Sequence, residues 1–489
     1  MRNSEEKLLK DIIEEMPKKK IPKKIVNANF GTKEKSQQNS PESNLLYKPL
    51  NDLGNAERFV KQNGGRVRYC SELKKWLVYV DGQWVQDTGK RIYLMAKNTV
   101  QNIRKEALVD YLSTEDKQKI VAHADKSSSK GRINAMLDLA KWENGISVNI
   151  TQLDADLWLL NCKNGTLNLR NKELQPHNPA DLITKMIQVA YEREAHCPEW
   201  DRFLNKIMNN DRDKIEFLRR AIGYALTGEI YEQCLFVLHG LGANGKSTFI
   251  EILRELLGGY AMHTASESLL HSKSSPIRND IARLHEARFV SAVEIGIGKK
   301  LDESLIKQLT GGDQVTARFL FNENFEYKPK FKLFITANHK PEIQGIDHGI
   351  WRRICLIPFD ITIPSEEIDK DLPMKLRSEL PGILAWFVQG CYEWQEQGLN
   401  PPDSIKAATA TYRAEMDLLE SFIVDNCIRN KSFKAAVGDL YESYKKWCES
   451  ACEEPVGKKF FGKLMKQKGF KQSKSGSIRF WNGIKLDTD

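Results

Sequence analysis

The chain has 489 residues, of which 41% are hydrophobic and 28% charged, which is enough for about two to four domains with buried cores. It lacks a run of about 18 apolar residues and the apolar core of a secretion signal, so neither a membrane-spanning helix nor export is expected and a cytoplasmic protein is predicted. The nine scattered cysteines do not suggest a disulfide framework, and the net charge of +9 is compatible with a nucleic-acid partner.

Composition and the positions of turn-forming and helix-breaking residues predict four segments along the chain. Residues 1–50 are predicted to be a disordered basic tail, because they contain too few apolar residues to pack. Residues 51–195 are predicted to form an α+β domain, with one hairpin turning at Asp81-Gly82. Residues 196–400 carry the chemistry, and residues 420–489 form a small domain rich in lysine and aromatic residues. Pro401-Pro402 marks the break between these last two segments.

A phosphate-binding loop is the strongest motif. The apolar strand CLFVL runs into GLGANGKST, which fits the pattern GxxxxGK[ST] and is followed by a helix with one apolar face. Glycines let backbone N–H groups curve around phosphates, while Lys246 would neutralise them and Ser247 would offer its hydroxyl to Mg²⁺. The predicted phosphate ligands are Gly240, Gly242, Ala243, Asn244, Gly245, Lys246, Ser247 and Thr248.

Two further apolar strands end in polar residues. RFVSAV ends at Glu294, which would polarise an attacking water, help to hold Mg²⁺, or both. FKLFITA ends at Asn338, which can orient a water by hydrogen bonding. The alternative interpretations are an ordinary strand-end carboxylate and a turn-forming asparagine.

Arg352 and Arg353 stand just before the apolar run ICLI. An arginine can stabilise charge on a transferring phosphate, often from a neighbouring subunit. A surface arginine pair at a strand end is an equally good interpretation of the residues alone.

The order of these motifs resembles the superfamily 3 helicases of viruses, phages and plasmids. It is most similar to the phage/plasmid primase-helicase family related to the poxvirus primase-helicase. The resemblance is carried by GLGANGKST, by RFVSAVEIGIGKKLDESLIKQLTGGDQVTARFLFNENFEYKPKFKLFITANHKPEI and by GIWRRICLIPF, and it covers about residues 51–375. Relatives often have two adjacent acids at the second motif, whereas here Val293 precedes Glu294.

The resemblance implies an α/β fold with a P-loop AAA+-like ATPase core, assembled as a homo-hexameric ring around DNA and driven by ATP with Mg²⁺. It implies that Lys246, Glu294 and Asn338 act in catalysis, with Mg²⁺ held by Ser247 and Glu294. It also implies an arginine finger at Arg352 or Arg353, between which the sequence does not choose. The expected location is the cytoplasm of a bacterial host, associated with the nucleoid.

Two further expectations follow from the same resemblance. The segment from about 319 to 327 would be a DNA-gripping hairpin, with Arg318, Lys328 and Lys330 at its base. Relatives often carry a primase or polymerase domain upstream, for which residues 1–50 leave no room. A separate primase or polymerase is therefore an expected partner.

The last segment has the order helix, turn, basic helix and hairpin, which is typical of a winged-helix domain. Phe460, Leu464 and Met465 are predicted to line the apolar face of the basic helix. Its lysines would contact DNA phosphates, and the candidates are Lys458, Lys459, Lys463 and Lys466. A basic helix packed on the motor is the alternative interpretation.

The function that this sequence predicts is ATP-dependent unwinding of DNA during replication of a phage, plasmid or other mobile element, with single-stranded and forked DNA as the expected partners. Recognition of an origin duplex by the last domain would assist it. The alternative is an ATP-dependent replication initiator or DNA-binding regulator without processive unwinding. An ATPase with no role on DNA is the least favoured interpretation.

Overall fold

The structure is a computed structural model, and the residues that it describes fall in eight ranges. These are 48–271, 279–293, 296, 298–318, 324–343, 345, 348–451 and 453–487. The predicted tail, apart from its last three residues, lies outside them. Within the described residues, no helix has both the length and the apolar character needed to cross a membrane.

The N-terminal region combines four helices with a four-stranded sheet of order β3-β2-β1-β4. The helices are α1 (Asp52–Asn63), α2 (Lys90–Glu106), α3 (Thr114–Ser127) and α4 (Lys130–Ala140), and the strands are β1 (Val67–Cys70), β2 (Lys75–Val80), β3 (Gln83–Gln86) and β4 (Ser147–Val148). The predicted hairpin turn is confirmed: Asp81 and Gly82 have φ of 48° and 85°, as a two-residue hairpin turn requires.

A second, three-stranded sheet follows, with the order β5-β6-β7. Its strands are β5 (Leu159–Cys162), β6 (Gly165–Asn168) and β7 (Glu173–Gln175). Trp158, Leu160 and Leu167 belong to the same hydrophobic core as Phe203 and Phe249 of the next region. The core therefore continues across residue 195, where the sequence predicts a domain boundary.

The central sheet has five parallel strands in the order β14-β8-β13-β10-β9. The strands are β8 (Leu235–His239), β9 (Ala261–Ala265), β10 (Phe289–Val293), β13 (Lys332–Ala337) and β14 (Ile354–Pro358). Between β10 and β13 the chain forms an antiparallel hairpin of β11 (Val315–Arg318) and β12 (Asn324–Tyr327). Leu235, Phe236, Val237 and Leu238 are all fully buried because both faces of the sheet are covered.

Helices cover both faces of this sheet. They are α5 (Pro198–Ile207), α6 (Arg212–Leu226), α7 (Lys246–Leu257), α8 (Asn279–Arg283), α9 (Glu303–Gly311), α10 (His348–Trp351), α11 (Leu372–Ser378), α12 (Leu380–Gln397) and α13 (Asp403–Glu415). Helices α6 and α12 touch at backbone level: a Cβ on Gly223 would lie 2.0 Å from the Cys391 nitrogen. Helix α13 returns to the sheet, where the Thr409 hydroxyl accepts a hydrogen bond from the Leu356 N–H at 3.1 Å.

The C-terminal region has its own hydrophobic core, which includes Phe422, Tyr444 and Trp481. Its elements are α14 (Leu418–Asn426), β15 (Cys427–Ala436), α15 (Val437–Ser450), α16 (Lys458–Gln467), β16 (Lys471–Ser475) and β17 (Ile478–Leu486). The three strands form an antiparallel sheet of order β15-β17-β16. The expected helix, basic helix and hairpin are present, and the long strand β15 is an addition to that expectation.

Candidate functional site

Segment Gly240–Thr248, called the loop below, connects β8 to α7 at the carboxyl edge of the central sheet and includes the first three residues of α7. Gly242, Ala243 and Gly245 have φ of 113°, 47° and 82°, which is the left-handed backbone that a tight phosphate-binding turn uses. A Cβ on Gly245 would lie 2.5 Å from the Ile207 side chain, so glycine is required there for space as well. The first-turn N–H groups of α7 have no partner within the helix and are available to an anion.

Lys246 occupies the centre of this loop. Its side chain is only 5% exposed, and its Nζ donates to the Gly240 carbonyl at 2.6 Å and to the Asn244 Oδ1 at 2.9 Å. Asn244 is in turn fixed by donating its Nδ2 to the Phe359 carbonyl at 3.2 Å. Burial lowers the pKa of Lys246, and both oxygens that hold its ammonium group are uncharged. The loop therefore carries a desolvated positive charge suited to phosphate.

Strand β13 and helix α7 place two more predicted residues, Asn338 and Ser247, at this edge. The Gly240 N–H donates to the Ala337 carbonyl at 3.2 Å, which sets the half-buried Asn338 beside the start of the loop. Ser247 is exposed in the first turn of α7. Glu294 follows directly on β10 but lies outside the described residues.

A cavity of 510 Å³ opens beside the loop. The loop contributes Ala243, Gly245 and Thr248 to it, and α5 contributes Arg202 and Phe203. The rest of the lining consists of Glu199 and Lys206 of α5, the apolar residues Ile363, Ile368, Leu372 and Pro373, and the charged residues Glu367, Asp369 and Lys370. Sequence reasoning missed these residues, because they stand 34 or more positions before or 115 or more after the motif and form no motif of their own.

The two candidate finger arginines lie at the opposite edge of the sheet. The Arg353 carbonyl accepts from the Leu235 N–H at 2.7 Å, which places it at the amino end of β8, roughly 17 Å of strand away from the loop. Arg353 is only 9% exposed and donates its Nη1 to the Gly349 carbonyl. Arg352 is exposed and donates its Nη2 to the Gln233 Oε1 at 2.5 Å. Exposure therefore distinguishes Arg352 from Arg353, which the sequence alone does not separate.

The hairpin predicted from the resemblance begins earlier than expected, at Val315. Arg318 and Lys328 are exposed near its strands, whereas the tip at 319–323 lies outside the described residues. Lys330 differs from both: it is half-buried, and its Nζ donates to the Asp154 carbonyl at 3.2 Å in a 340 Å³ cavity against the N-terminal region. Burial lowers its pKa. The prediction that Lys330 contacts DNA together with Arg318 and Lys328 does not fit this position, because the Lys330 ammonium group faces the interior of the protein.

The basic helix α16 turns an apolar face inward and lysines outward. Phe461, Leu464 and Met465 are buried, whereas Phe460, predicted to be on the apolar face, is 38% exposed. The apolar residue of this face is Phe461, because it lies three and four positions before Leu464 and Met465, as residues on one helix face do. The four predicted DNA-contacting lysines of this helix, namely Lys458, Lys459, Lys463 and Lys466, are all exposed.

Two family models match this chain. One is described as D5 N terminal like and covers residues 56–209, and the other, a family of unknown function, covers residues 238–353. Relatives include "Putative helicase L207/L206" of Acanthamoeba polyphaga mimivirus, 25% identical over 78% of this chain and 44% of that protein. "Primase D5" of Fowlpox virus is 28% identical over 26% of this chain and 17% of that protein.

The chain belongs to a D5-like family of primase-helicases. A further relative, "Putative helicase 022R" of Frog virus 3, is 25% identical over 58% of this chain and 30% of that protein. The chain thus spans less than half the length of the relatives named here. Among solved structures, the apo C-terminal region of NrS-1 aligns over 89% of this chain and 99% of that chain, with 11% identity and a TM-score of 0.49.

Proposed function

We propose that this chain is an ATP-dependent DNA helicase motor that acts in replication of a phage, plasmid or other mobile element. The observation that carries the proposal is the buried Lys246 ammonium, held by uncharged oxygens inside a glycine loop at the carboxyl edge of a parallel sheet. The family relationship to viral proteins named as helicases and primases supports the same function.

The residues of the loop fit the triphosphate of ATP. The space beside Gly242 is open, since a Cβ added there would meet no atom within 4 Å. Backbone N–H groups and Lys246 would bind the β- and γ-phosphates, and the Ser247 hydroxyl would be a ligand of Mg²⁺. The adjoining 510 Å³ cavity, with the Phe203 ring and apolar side chains of segment 363–373, would receive the nucleoside.

Two residues would act on the attacking water. Asn338 stands beside the start of the loop, where its amide can orient a water by hydrogen bonding. Glu294 follows Val293, which pairs with Thr336 of the adjacent strand β13, and would take a proton from that water, hold the metal, or both. In the bound state Mg²⁺ would offset charge on the phosphates.

The positions of the arginines support a ring in which subunits share their sites. Both lie one strand length from the loop of their own chain, so neither can reach its own nucleotide without a large rearrangement. Arg352 is exposed and Arg353 is buried, so Arg352 would be the arginine that contacts the nucleotide of a neighbouring subunit. A homo-hexamer, as in the family that the sequence resembles, would give every site such a neighbour.

DNA would be met by two surfaces of different kinds. The hairpin carries exposed Arg318 and Lys328 and would grip a strand inside the ring. The C-terminal region has the order of elements of a winged helix, and its α16 lysines would contact duplex phosphates and assist origin recognition. Exposure of those lysines also favours the second candidate function, an initiator that binds duplex DNA without processive unwinding.

Strand displacement on forked DNA with ATP and Mg²⁺ tests the proposal, with Lys246→Ala as the inactive control. The forks have two tails, only a 3′ tail or only a 5′ tail. We expect displacement by the wild type alone, and the preferred tail gives the direction of travel. ATP hydrolysis and duplex binding by residues 420–489, without displacement on any fork, would instead establish the initiator function.

A further inference from the structure

Gln233 makes contacts at both ends of its side-chain amide. Its Oε1 accepts hydrogen bonds from Arg352 Nη2 at 2.5 Å and from Arg353 Nη2 at 3.3 Å. Its Nε2 donates to the Gly311 carbonyl at 3.3 Å. One side chain therefore contacts both candidate finger arginines and the last residue of α9.

The backbone of Gln233 is held in an unfavourable conformation. Its φ is 52°, in the left-handed region that residues with a Cβ avoid, and its N–H donates to the Ile230 carbonyl at 3.1 Å. This tight turn precedes β8 directly and aims the amide across the amino edge of the sheet. Strain of this kind persists where surrounding contacts require it, and here those contacts are with Arg352, Arg353 and Gly311.

The Gly311 end of this contact leads to the hairpin. Gly312 caps α9 with φ of 80°, and a Cβ on it would lie 3.0 Å from Ile230 of the same turn. Only Asp313 and Gln314 separate this cap from β11, which carries Arg318. The turn 230–233 thus packs against the Gly312 cap, from which the chain continues into the DNA-facing hairpin. The side-chain amide of Gln233, in the same turn, holds the two arginines.

We infer that Gln233 is a positioning residue that orients the Arg352 guanidinium and ties that orientation to the base of the β11–β12 hairpin. The inference rests on the proposed function, and it assigns to one residue the link between DNA engagement and hydrolysis at the neighbouring subunit. A hairpin displaced by DNA would move Gly311, and with it the Gln233 amide that holds Arg352.

Two substitutions separate the two ends of the amide. Gln233→Met has similar length and the same backbone requirement but neither acceptor nor donor. Gln233→Glu keeps an oxygen for Arg352 and loses the N–H that Gly311 accepts. Steady-state ATP hydrolysis is measured for both, with and without single-stranded DNA, and with Gln389→Met as the matched control, because Gln389 is exposed on α12.

In Gln233→Met we expect kcat to fall about 10-fold with an unchanged KM for ATP, well short of the loss of about 10³-fold expected on removing a finger arginine. Stimulation by DNA is lost. In Gln233→Glu we expect basal kcat within about 3-fold of the wild type, again without stimulation, because the arginine is still held but the hairpin contact is not. On an Arg352→Ala background, Gln233→Met should lower kcat no further.

Wild-type kcat and stimulation in Gln233→Met would overturn the inference and leave the proposed motor intact. So would an equal loss of basal kcat in both variants, or a further loss on the Arg352→Ala background. A wild-type chain that hydrolyses no ATP would overturn the proposed function itself, and the inference with it. Thermal unfolding shows whether each variant is folded. If either Gln233→Met or Gln233→Glu fails to fold, the other variant still tests the inference.

Discussion

The phosphate loop and the basic helix α16 both present lysine, but they hold it differently. Lys246 is buried, fixed by two uncharged oxygens, and stands alone at the centre of its loop. Helix α16 instead spreads four exposed lysines over one face of a small domain. A fixed, desolvated charge suits the recognition of one group in one geometry, whereas exposed charges suit a polyanion that can slide past them.

This difference sets the expected response to mutation. At the loop, substitution of Lys246 alone should abolish ATP hydrolysis, because no second ammonium group can take the same position. On α16, each lysine should contribute a small share, and the shares should add because the side chains are separate and solvated. The amino edge of the sheet lies between these cases, since Arg352 is exposed but held by one partner.

The largest expected effect is that of Lys246→Ala, which should abolish ATP hydrolysis and strand displacement. The unfolding temperature should stay close to that of the wild type, because relief of the desolvation cost of the buried charge offsets the loss of its two hydrogen bonds. Lys126→Ala, an exposed helix position far from the loop in sequence, is the control and should remain fully active. Hydrolysis retained by Lys246→Ala would remove the loop from the proposed mechanism.

The next largest effect separates the two arginines. Arg352→Ala should lower kcat about 10³-fold with little change in stability, because its side chain is exposed. Arg353→Ala should lower the unfolding temperature, because a buried guanidinium that donates to the Gly349 carbonyl is lost.

Mixing subunits tests whether the sites are shared. Arg352→Ala subunits mixed with Lys246→Ala subunits should partly recover hydrolysis, since some sites would combine an intact loop with an intact arginine. Activity that never exceeds the sum of the two separate preparations would contradict a finger acting across subunits.

The sequence predicted the features that depend on neighbouring residues. The loop between β8 and α7 and the turn at Asp81-Gly82 are set by local backbone requirements, and both were found where expected. Strand β13 was also predicted, because its apolar run is continuous. Such features need no knowledge of the tertiary structure.

What the sequence did not predict depends on contacts between distant residues. The burial of Arg353 beside the exposed Arg352 follows from the packing of β14, and the partner Gln233 stands about 120 positions earlier. The inward position of Lys330 likewise depends on the Asp154 carbonyl, 176 positions away. The choice of Phe460 is a different, local error: Phe461 lies three and four positions before Leu464 and Met465, so it shares their buried helix face.

A smaller, additive effect is expected on α16. Lys459→Ala, Lys463→Ala and Lys466→Ala should each weaken duplex binding by a similar factor for all sequences. Each should lower the slope of log affinity against log salt by about 1, as loss of one phosphate contact does. Titrations by fluorescence anisotropy at several salt concentrations measure this slope. An unchanged slope in all three variants would assign α16 to packing rather than to DNA.

The smallest expected effect concerns Lys468, which lies at the end of α16 but faces inward. Its Nζ contacts Asp417 Oδ2 at 2.7 Å and Glu420 Oε2 at 2.6 Å. Burial alone would raise the pKa of Glu420, but hydrogen bonds from Lys468 and Arg429 outweigh it and lower that pKa. A lowered pKa gives stability that is present above the ordinary glutamate pKa of about 4.3 and lost as pH falls through the folded value.

Lys468→Met should therefore reduce the acid dependence of C-terminal unfolding without changing the salt slope of DNA binding. Thermal unfolding followed by tryptophan fluorescence, from neutral pH to about pH 3, measures the first property. A changed salt slope with unchanged acid dependence would show that Lys468 meets DNA instead.

Helix α13 fixes the position of the exposed lysines of α16. It is tied to the sheet through Thr409, its last residue Glu415 pairs with Lys340 at 2.6 Å, and Asp417, two residues later, caps α14 and contacts Lys468. The basic helix is therefore connected to the region of the central sheet through a short, hydrogen-bonded segment. In a closed ring, copies of this helix would stand at regular angular intervals. Such an assembly would favour DNA with several correctly spaced sites through avidity, even where each single contact is weak.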